Sequence, residues 1–244
     1  MGDGRAAMGN GSVLMSLLRA IASHDVEKAS RLLEASPGLA RQAVERGATR
    51  EISTSYYFTE IEHYVYAGDT ALHIAAAAYA RDIATMLLAR GASVRSRNRR
   101  GAEPLHYAVD GSPGSPAWNS SSQEAIVECL IEAGADPNAA DKSGVGPLHR
   151  AVRTRCAGAV RMLLEHGADP RRKNGSGSTP LHLAVQNTGR GGAGSPASRD
   201  EQRAIIALLL KHGARPTDRN TAGKSVVDSA TADWVRQALV MAAP

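Results

Sequence analysis

Eight histidines give this 244-residue chain its most obvious supply of reactive side chains. His63 is the one set among other groups that could share its chemistry. Glu60 and Glu62 flank it, Tyr56, Tyr57, Tyr64 and Tyr66 surround it in sequence, and Asp69 follows. An imidazole among carboxylates and phenols could do general acid–base work. An extended run over 60–66 would place Glu60, Glu62, Tyr64 and Tyr66 on one face and Ile61, His63 and Val65 on the other. Glu62 and His63 would then diverge, which does not suit a metal. The chain has no nucleophile motif, phosphate loop or metal-ligand spacing. No metal and no cofactor are expected. His73, His106, His149 and His182 recur once per copy of a repeated motif, as a structural element would, and could hydrogen-bond backbone between copies. His166 and His212 stand at equivalent helix ends, where a cation suits the dipole, and His24 sits in a turn.

The repeated motif is clearest in Gly177-Ser178-Thr179-Pro180-Leu181-His182-Leu183-Ala184. Other copies begin at Gly68, Gly101 and Gly144, and a decayed one at Gly223. Successive leading glycines are 33, 43, 33 and 46 residues apart. A period of 33, twice stretched, marks a repeat array in which each unit buries its apolar face against its neighbours. Each copy has a short first helix and a second helix with an apolar stripe, such as Ile83, Met86, Leu87 and Leu88. The second helices end at Gly91, Gly134, Gly167 and Gly213, where glycine supplies a left-handed residue.

The rest of the chain is arranged around that array. Residues 1–11 are Gly-rich and read as a disordered arm. Residues 12–46 read as a helical pair capping the stack, with Leu14, Leu17, Leu18 and Ile21 inward. Residues 47–67 form a Tyr-rich extended insertion or first hairpin. The repeats run over 68–230, with Gly/Ser/Pro loop insertions near 111–122 and 188–198. Residues 231–244 read as a closing helix and tail, with Trp234 over the last apolar face. Trp118 either folds back on the stack or offers an exposed contact. Cys129 and Cys156 define no disulfide framework and no zinc set. Nothing approaches the ~20 apolar residues of a membrane span, and a cytoplasmic protein is expected.

The Gly-x-Thr-Pro-Leu-His-x-Ala motif, the Leu-Leu helix and the Gly-Ala-Asp-Pro hairpin start closely resemble the ankyrin repeat family, in a bacterial-type form with an N-terminal cap and loop insertions. The resemblance implies an all-α repeat array (α-solenoid) of helix-turn-helix units with protruding β-hairpin loops. It also implies binding of another macromolecule, without catalysis. Some positions depart from the pattern. Glu103 and Gly146 replace Thr, so the local Thr–His bonding is incomplete there. Tyr79 and Arg155 stand where the family often has glycine, so those turns are either strained or differently built.

In this family the partner is usually met by hairpin tips and exposed first-helix positions. Carried over, these are Tyr64 and Tyr66 on the first hairpin, Arg97, Arg99 and Arg100 on the second, then Lys142, Lys173 and Arg219. Asp110, Arg153 and Gln186 come from the first helices. Ala77, Ala78, Thr154 and Asn187 are further first-helix positions, and Ser143 and Ser176 further tip positions. A net charge of +5 with arginines so placed fits an acidic or anionic protein segment. Nucleic acid is disfavoured, because the basic residues are spread over separate hairpins without a stacking motif. One alternative is a small-molecule or acid–base site at Tyr56, Tyr57, Glu60, Glu62, His63, Tyr64 and Tyr66, beside Arg97 and Arg99. Another is a structural scaffold. The sequence does not set the oligomeric state.

Overall fold

A computed structural model describes residues 3–111, 113, 115, 118–186 and 196–241. The cores of the two expected loop insertions, Ser112, Gly114, Pro116 and Ala117 in one and 187–195 in the other, lie outside the described residues, as does Asn187. The chain divides into two compact units. The first comprises Met1–Ala108 and Ser121–Asp136, the second Val109–Ser120 and Pro137–Pro244. Both are helical, as the all-α repeat pattern requires.

Unit one opens with α1 (Asp3–Ala22) and α2 (Val26–Ala35). Leu14, Leu17, Leu18 and Ile21 of α1 are buried, as are Ala29 and Leu33 of α2. Asp25 caps α2 by accepting the Lys28 N–H at 2.9 Å. The helix begins at Asp3, so residues 3–11 are not the arm expected from their glycines. Arg5, Ala6, Ala7 and Met8 are strong helix formers, and no proline interrupts them.

A two-stranded hairpin follows: β1 (Tyr57–Phe58) pairs antiparallel with β2 (His63–Tyr64), Tyr57 opposite Tyr64 and Phe58 opposite His63. Residues 60–66 do not form one extended run. A 3-10 turn over Thr59–Ile61 and a left-handed Glu62 (φ 49°) fold the segment back on itself. Pairing across the hairpin meets backbone hydrogen-bond needs that a lone extended run would leave to water. Phe58 and Val65 anchor it as core residues.

Helix α3 (Ala71–Ala77) is buried along its whole length and packs on α1, on α4 (Arg81–Ala89) and on α5 (Pro104–Ala108). Helix α6 (Ser120–Glu132) buries Ile126, Val127 and Leu130. In unit two, α7 (Pro147–Arg153) packs on α8 (Ala157–Glu165) and α9 (Pro180–Ala184), and α10 (Pro196–Lys211) on α8 and α9. The short α11 (Val226–Ser229) meets α9, and α12 (Asp233–Met241) ends the described chain.

The repeat histidines work identically. The backbone N–H groups of Thr70, Glu103, Gly146 and Thr179 donate to Nδ1 of the histidine three residues on, at 3.1 to 3.3 Å. Thr70 and Thr179 add their hydroxyls. Where Glu103 and Gly146 replace Thr, the hydroxyl contact is lost but the backbone bond survives. An accepting Nδ1 leaves the proton on Nε2. That group reaches the next repeat within each unit: His73 to Ala102 O (3.1 Å), His149 to Ser178 O (3.1 Å) and His182 to Lys224 O (3.3 Å).

The turns between first and second helices take two forms. Uninterrupted turns use a left-handed non-glycine residue: His24 (φ 57°), Tyr79 (φ 54°) and Arg155 (φ 63°). Such a residue costs roughly 1–2 kcal/mol, so Tyr79 and Arg155 are strained, not rebuilt. Where insertions interrupt the turn, a glutamine takes over. Gln123 Nε2 donates to Ala108 O (3.1 Å), and Gln202 Nε2 to Ala184 O (2.6 Å), each satisfying the end of a first helix.

Candidate functional site

The best-defined exposed cluster lies in unit one, where the Tyr-rich hairpin meets the next hairpin tip. Asp69 locks them together from inside. Its fully buried carboxylate accepts the Tyr66 N–H at 2.6 Å, Asn98 Nδ2 at 2.9 Å and Tyr107 Oη at 2.9 and 3.0 Å. The Tyr107 ring lies 4.4 Å from His63 and edge-on to His73 at 5.2 Å, centroid to centroid. Backbone joins the same pieces, since Arg99 N–H donates to Ala67 O at 2.8 Å. Gly68 permits this approach. It is left-handed (φ 86°), and a Cβ there would come within 2.7 Å of Asn98 Cα.

The tip of the second hairpin is shaped by Asn98, whose Oδ1 accepts the N–H groups of Arg100 and Ala102. The same device recurs in unit two. Asp141 accepts from Ser143 and Val145, Asn174 from Ser176 and Ser178, and Asn220 from Ala222 and Lys224. These side-chain caps make each tip a fixed turn. The sequence reading missed them, although an Asn or Asp stands three residues before each leading glycine from Gly101 onward.

Outside, the aromatics form a ladder. The tilted rings of Tyr57 and Tyr64 lie 4.7 Å apart, and those of Tyr64 and Tyr66 6.4 Å apart, centroid to centroid. The guanidinium groups of Arg99 and Arg100 lie 5.4 and 4.2 Å from the centre of the Tyr66 ring. Arg99 Nη2 also donates to Ala48 O at 2.6 Å. Tyr57 and Tyr64 remain 36% and 38% exposed, so the ladder presents aromatic surface to solvent. Among the described residues no carboxylate pairs with Arg99 or Arg100. Arg97 is different: its Nε donates at 2.9 Å to Glu103, whose side chain is only 5% exposed. Glu103 thus uses Arg97 internally, and the basic tip reduces to Arg99 and Arg100.

The acid–base grouping does not assemble around His63. Its Nδ1 bonds Tyr64 O at 2.8 Å and its ring packs on Tyr107. Glu60 accepts from the neighbouring Thr59 hydroxyl, and both Glu60 and Glu62 are exposed. Among the described residues His63 has no hydrogen bond to either glutamate. Tyr56 is half-buried, and its carbonyl accepts the Val65 N–H at 2.8 Å. Nor do three His, Cys, Asp or Glu side chains converge as a metal site would require, among the described residues.

In unit two, Lys142 and Lys173 stand exposed at hairpin tips with no ion-pair partner among the described residues. Asp110 is not presented to a partner. Arg150 holds it at 2.8 Å and also meets Asp141 at 3.3 Å, while Arg153, 63% exposed, lies 3.7 Å away. Burial opposes the charge on Arg150, but the two aspartates outweigh it and raise its pKa. Gln186 has an exposed side chain, and its carbonyl is taken by Arg155 at 2.7 Å. Arg219 bends back to Gly223 O and lies 3.8 Å from Asp228. Two further arginines matter here, Arg171, which the sequence pattern did not single out, and Arg155. Arg171 pairs bidentately with Asp218, and those hydrogen bonds hold the Asp218 carboxyl below its usual range. Arg155 is buried, and burial lowers its pKa; it donates to the carbonyls of Ala184 and Gln186, with no carboxylate partner among the described residues.

Short first helices, capped histidines and fixed hairpin tips that present side chains to solvent define a repeat protein built for surface contact. Models of known families agree. One described as ankyrin repeats (3 copies) matches residues 117–220, and one described as ankyrin repeat matches 67–99. The chain belongs to the ankyrin repeat family. Ankyrin repeats generally mediate protein–protein interaction. The chain is 38% identical over 93 residues to Ankyrin repeat and SOCS box protein 16 of Mus musculus, covering 38% of this chain and 20% of that protein. It is 35% identical over 157 residues to E3 ubiquitin-protein ligase KEG of Arabidopsis thaliana, covering 62% of this chain and 8% of that one. The chain thus spans a fifth or less of these relatives. No described helix is long and apolar enough to cross a membrane.

Proposed function

We propose that this protein binds an acidic segment of another protein through the tip formed by Arg99, Arg100 and the Tyr57–Tyr64–Tyr66 ladder. The observation that carries the reading is the pair of guanidinium groups on the Tyr66 ring with no carboxylate partner among the described residues. Two like charges held together against one ring repel each other, and an incoming carboxylate or phosphate relieves that repulsion. The tyrosines add rigid contact area with polar tips. Binding of this kind weakens as salt screens the charges.

The informative substitution is Arg100→Glu. Arg97→Glu would set a second carboxylate against buried Glu103 and confound binding with stability. The test compares capture of partners by wild type and Arg100→Glu, with both melting temperatures measured. Selective loss of a captured protein at unchanged stability supports the reading, and equal capture overturns it.

A further inference from the structure

A second surface lies in unit two. Helices α10 and α12 leave between them a trough of about 540 Å³. Arg203, Ile206, Ala207 and Leu210 line it from α10, and Trp234, Gln237 and Ala238 from α12. On α10 these positions are i, i+3, i+4 and i+7, and on α12 i, i+3 and i+4. Both rows follow the helical period, so each helix turns one continuous stripe toward the trough. Ile206 is already part of the core, whereas Ala207 is exposed and leaves room above it.

We propose that this trough docks an amphipathic helix of a partner protein, with an acidic residue set against Arg203. Two stripes of helical period are complementary to a third helix whose apolar residues recur at i, i+3, i+4 and i+7. The small Ala207 and Ala238 let its side chains enter, and the Trp234 indole forms a rigid wall. Charge selects the sign of the partner. Arg203 is the one charged residue in the lining, with its guanidinium 5.1 Å from the centre of the Trp234 ring. Its internal partner Asp200 is 3.5 Å away, and the two side chains are 60% and 72% exposed, so that pair is weak. A carboxylate arriving above Trp234 would meet Arg203 in a drier setting than Asp200 provides. This surface shares no residue with the Tyr66 tip and stands whether or not that tip binds an acidic segment.

The probe is a labelled synthetic helix of about sixteen residues with leucines at i, i+3, i+4 and i+7 and flanking glutamates, compared with a counterpart carrying lysines instead. Fluorescence anisotropy should show saturable binding of the acidic peptide and at least about tenfold weaker binding of the basic one. In a Trp118→Phe background, Trp234 emission should shift to the blue. Ala207→Arg should abolish binding, and because Ala207 is exposed this variant should retain its thermal melt. Absence of saturable binding, equal affinity for the two peptides, or unchanged binding to Ala207→Arg would overturn the proposal. Self-association of the wild type that Ala207→Arg abolishes would also overturn it, by assigning the trough to a second copy of this chain.

Discussion

Tyr107 Oη lies 2.9 and 3.0 Å from the two carboxylate oxygens of Asp69, with both side chains buried. This bond ties the residue after the Tyr-rich hairpin to the first helix of the next repeat. Asn98 and the Tyr66 N–H complete the shell of donors. Removing the Tyr107 hydroxyl takes away a donor from a buried carboxylate, which costs roughly 1–3 kcal/mol. Tyr107→Phe is therefore expected to lower unfolding free energy in urea by that amount. It should also speed hydrogen exchange at the Tyr66 amide. Exchange unchanged at Tyr66 would show that Asp69 does not hold the hairpin.

Arg155 and Arg153 are two residues apart and should behave oppositely. Arg155 is buried, left-handed and bonded to Ala184 O and Gln186 O at 2.9 and 2.7 Å. Its loss to Ala should cost about 2 kcal/mol, since two carbonyls lose a charged donor. Arg155→Gly should recover about 1 kcal/mol of that, because glycine adopts the left-handed turn without strain. Arg153→Ala, which removes an exposed contact of 3.7 Å to Asp110, should stay within about 0.5 kcal/mol of wild type. Chemical denaturation of the three variants checks the order.

Acid should weaken the stack through its histidines. Burial lowers the pKa of His149 and of His182 below the ordinary 6.5, and the backbone bonds each makes only partly oppose this. Protonating either would set an N–H at Nδ1 against the donor N–H of Gly146 or Thr179. A histidine with a depressed folded pKa contributes stability above its unfolded pKa, and that contribution is lost as pH falls through the folded value. Each group should therefore reduce stability by at most about 1.4 kcal/mol per pH unit below about 6.5. Denaturation at pH 7.5 and 5.5 measures the slope, and His149→Gln should reduce it. Asp218 and Asp228, whose carboxyls are lowered by Arg171 and by Ser225, act only below the usual carboxylate range and leave this window clear.

The hairpin tips offer a substitution that the protein has already made. Asp141 and Asn174 hold equivalent turns through one side-chain oxygen. Asn174→Asp should thus be nearly neutral, and Asn174→Ala should cost about 1 kcal/mol. Thermal melts of the two variants distinguish a capped turn from a passive one.

The array was legible because its unit repeats. The leading glycines, the Leu-His pair and the terminating glycines each recur at fixed offsets, and recurrence separated the structural histidines from His63. The insertions left the repeat pattern readable, since Gln123 and Gln202 tie their second helices to the ends of the first. The segment was legible as an extended insertion or a hairpin but its turn was not, because Tyr and β-branched residues favour extended backbone locally, while the turn at Thr59–Ile61 and left-handed Glu62 depend on pairing across it. The basic residues were legible as a set but not as individuals. Only side-chain geometry shows that Glu103 engages Arg97, that Arg150 engages Asp110, and that Arg99 and Arg100 are left facing outward on Tyr66.

The central claim is that this outward pair recognises an acidic protein segment. Its most direct test is affinity capture from the lysate of the source organism at moderate salt, with wild type, Arg100→Glu and the unit-two control Arg236→Glu run in parallel. Arg236 pairs with Asp233 at 3.1 Å on α12 and is not part of the tip. The expected result is a protein retained by wild type and Arg236→Glu and lost from Arg100→Glu, with melting temperature unchanged. Recovery of the same protein, in the same amount, on Arg100→Glu would contradict the account.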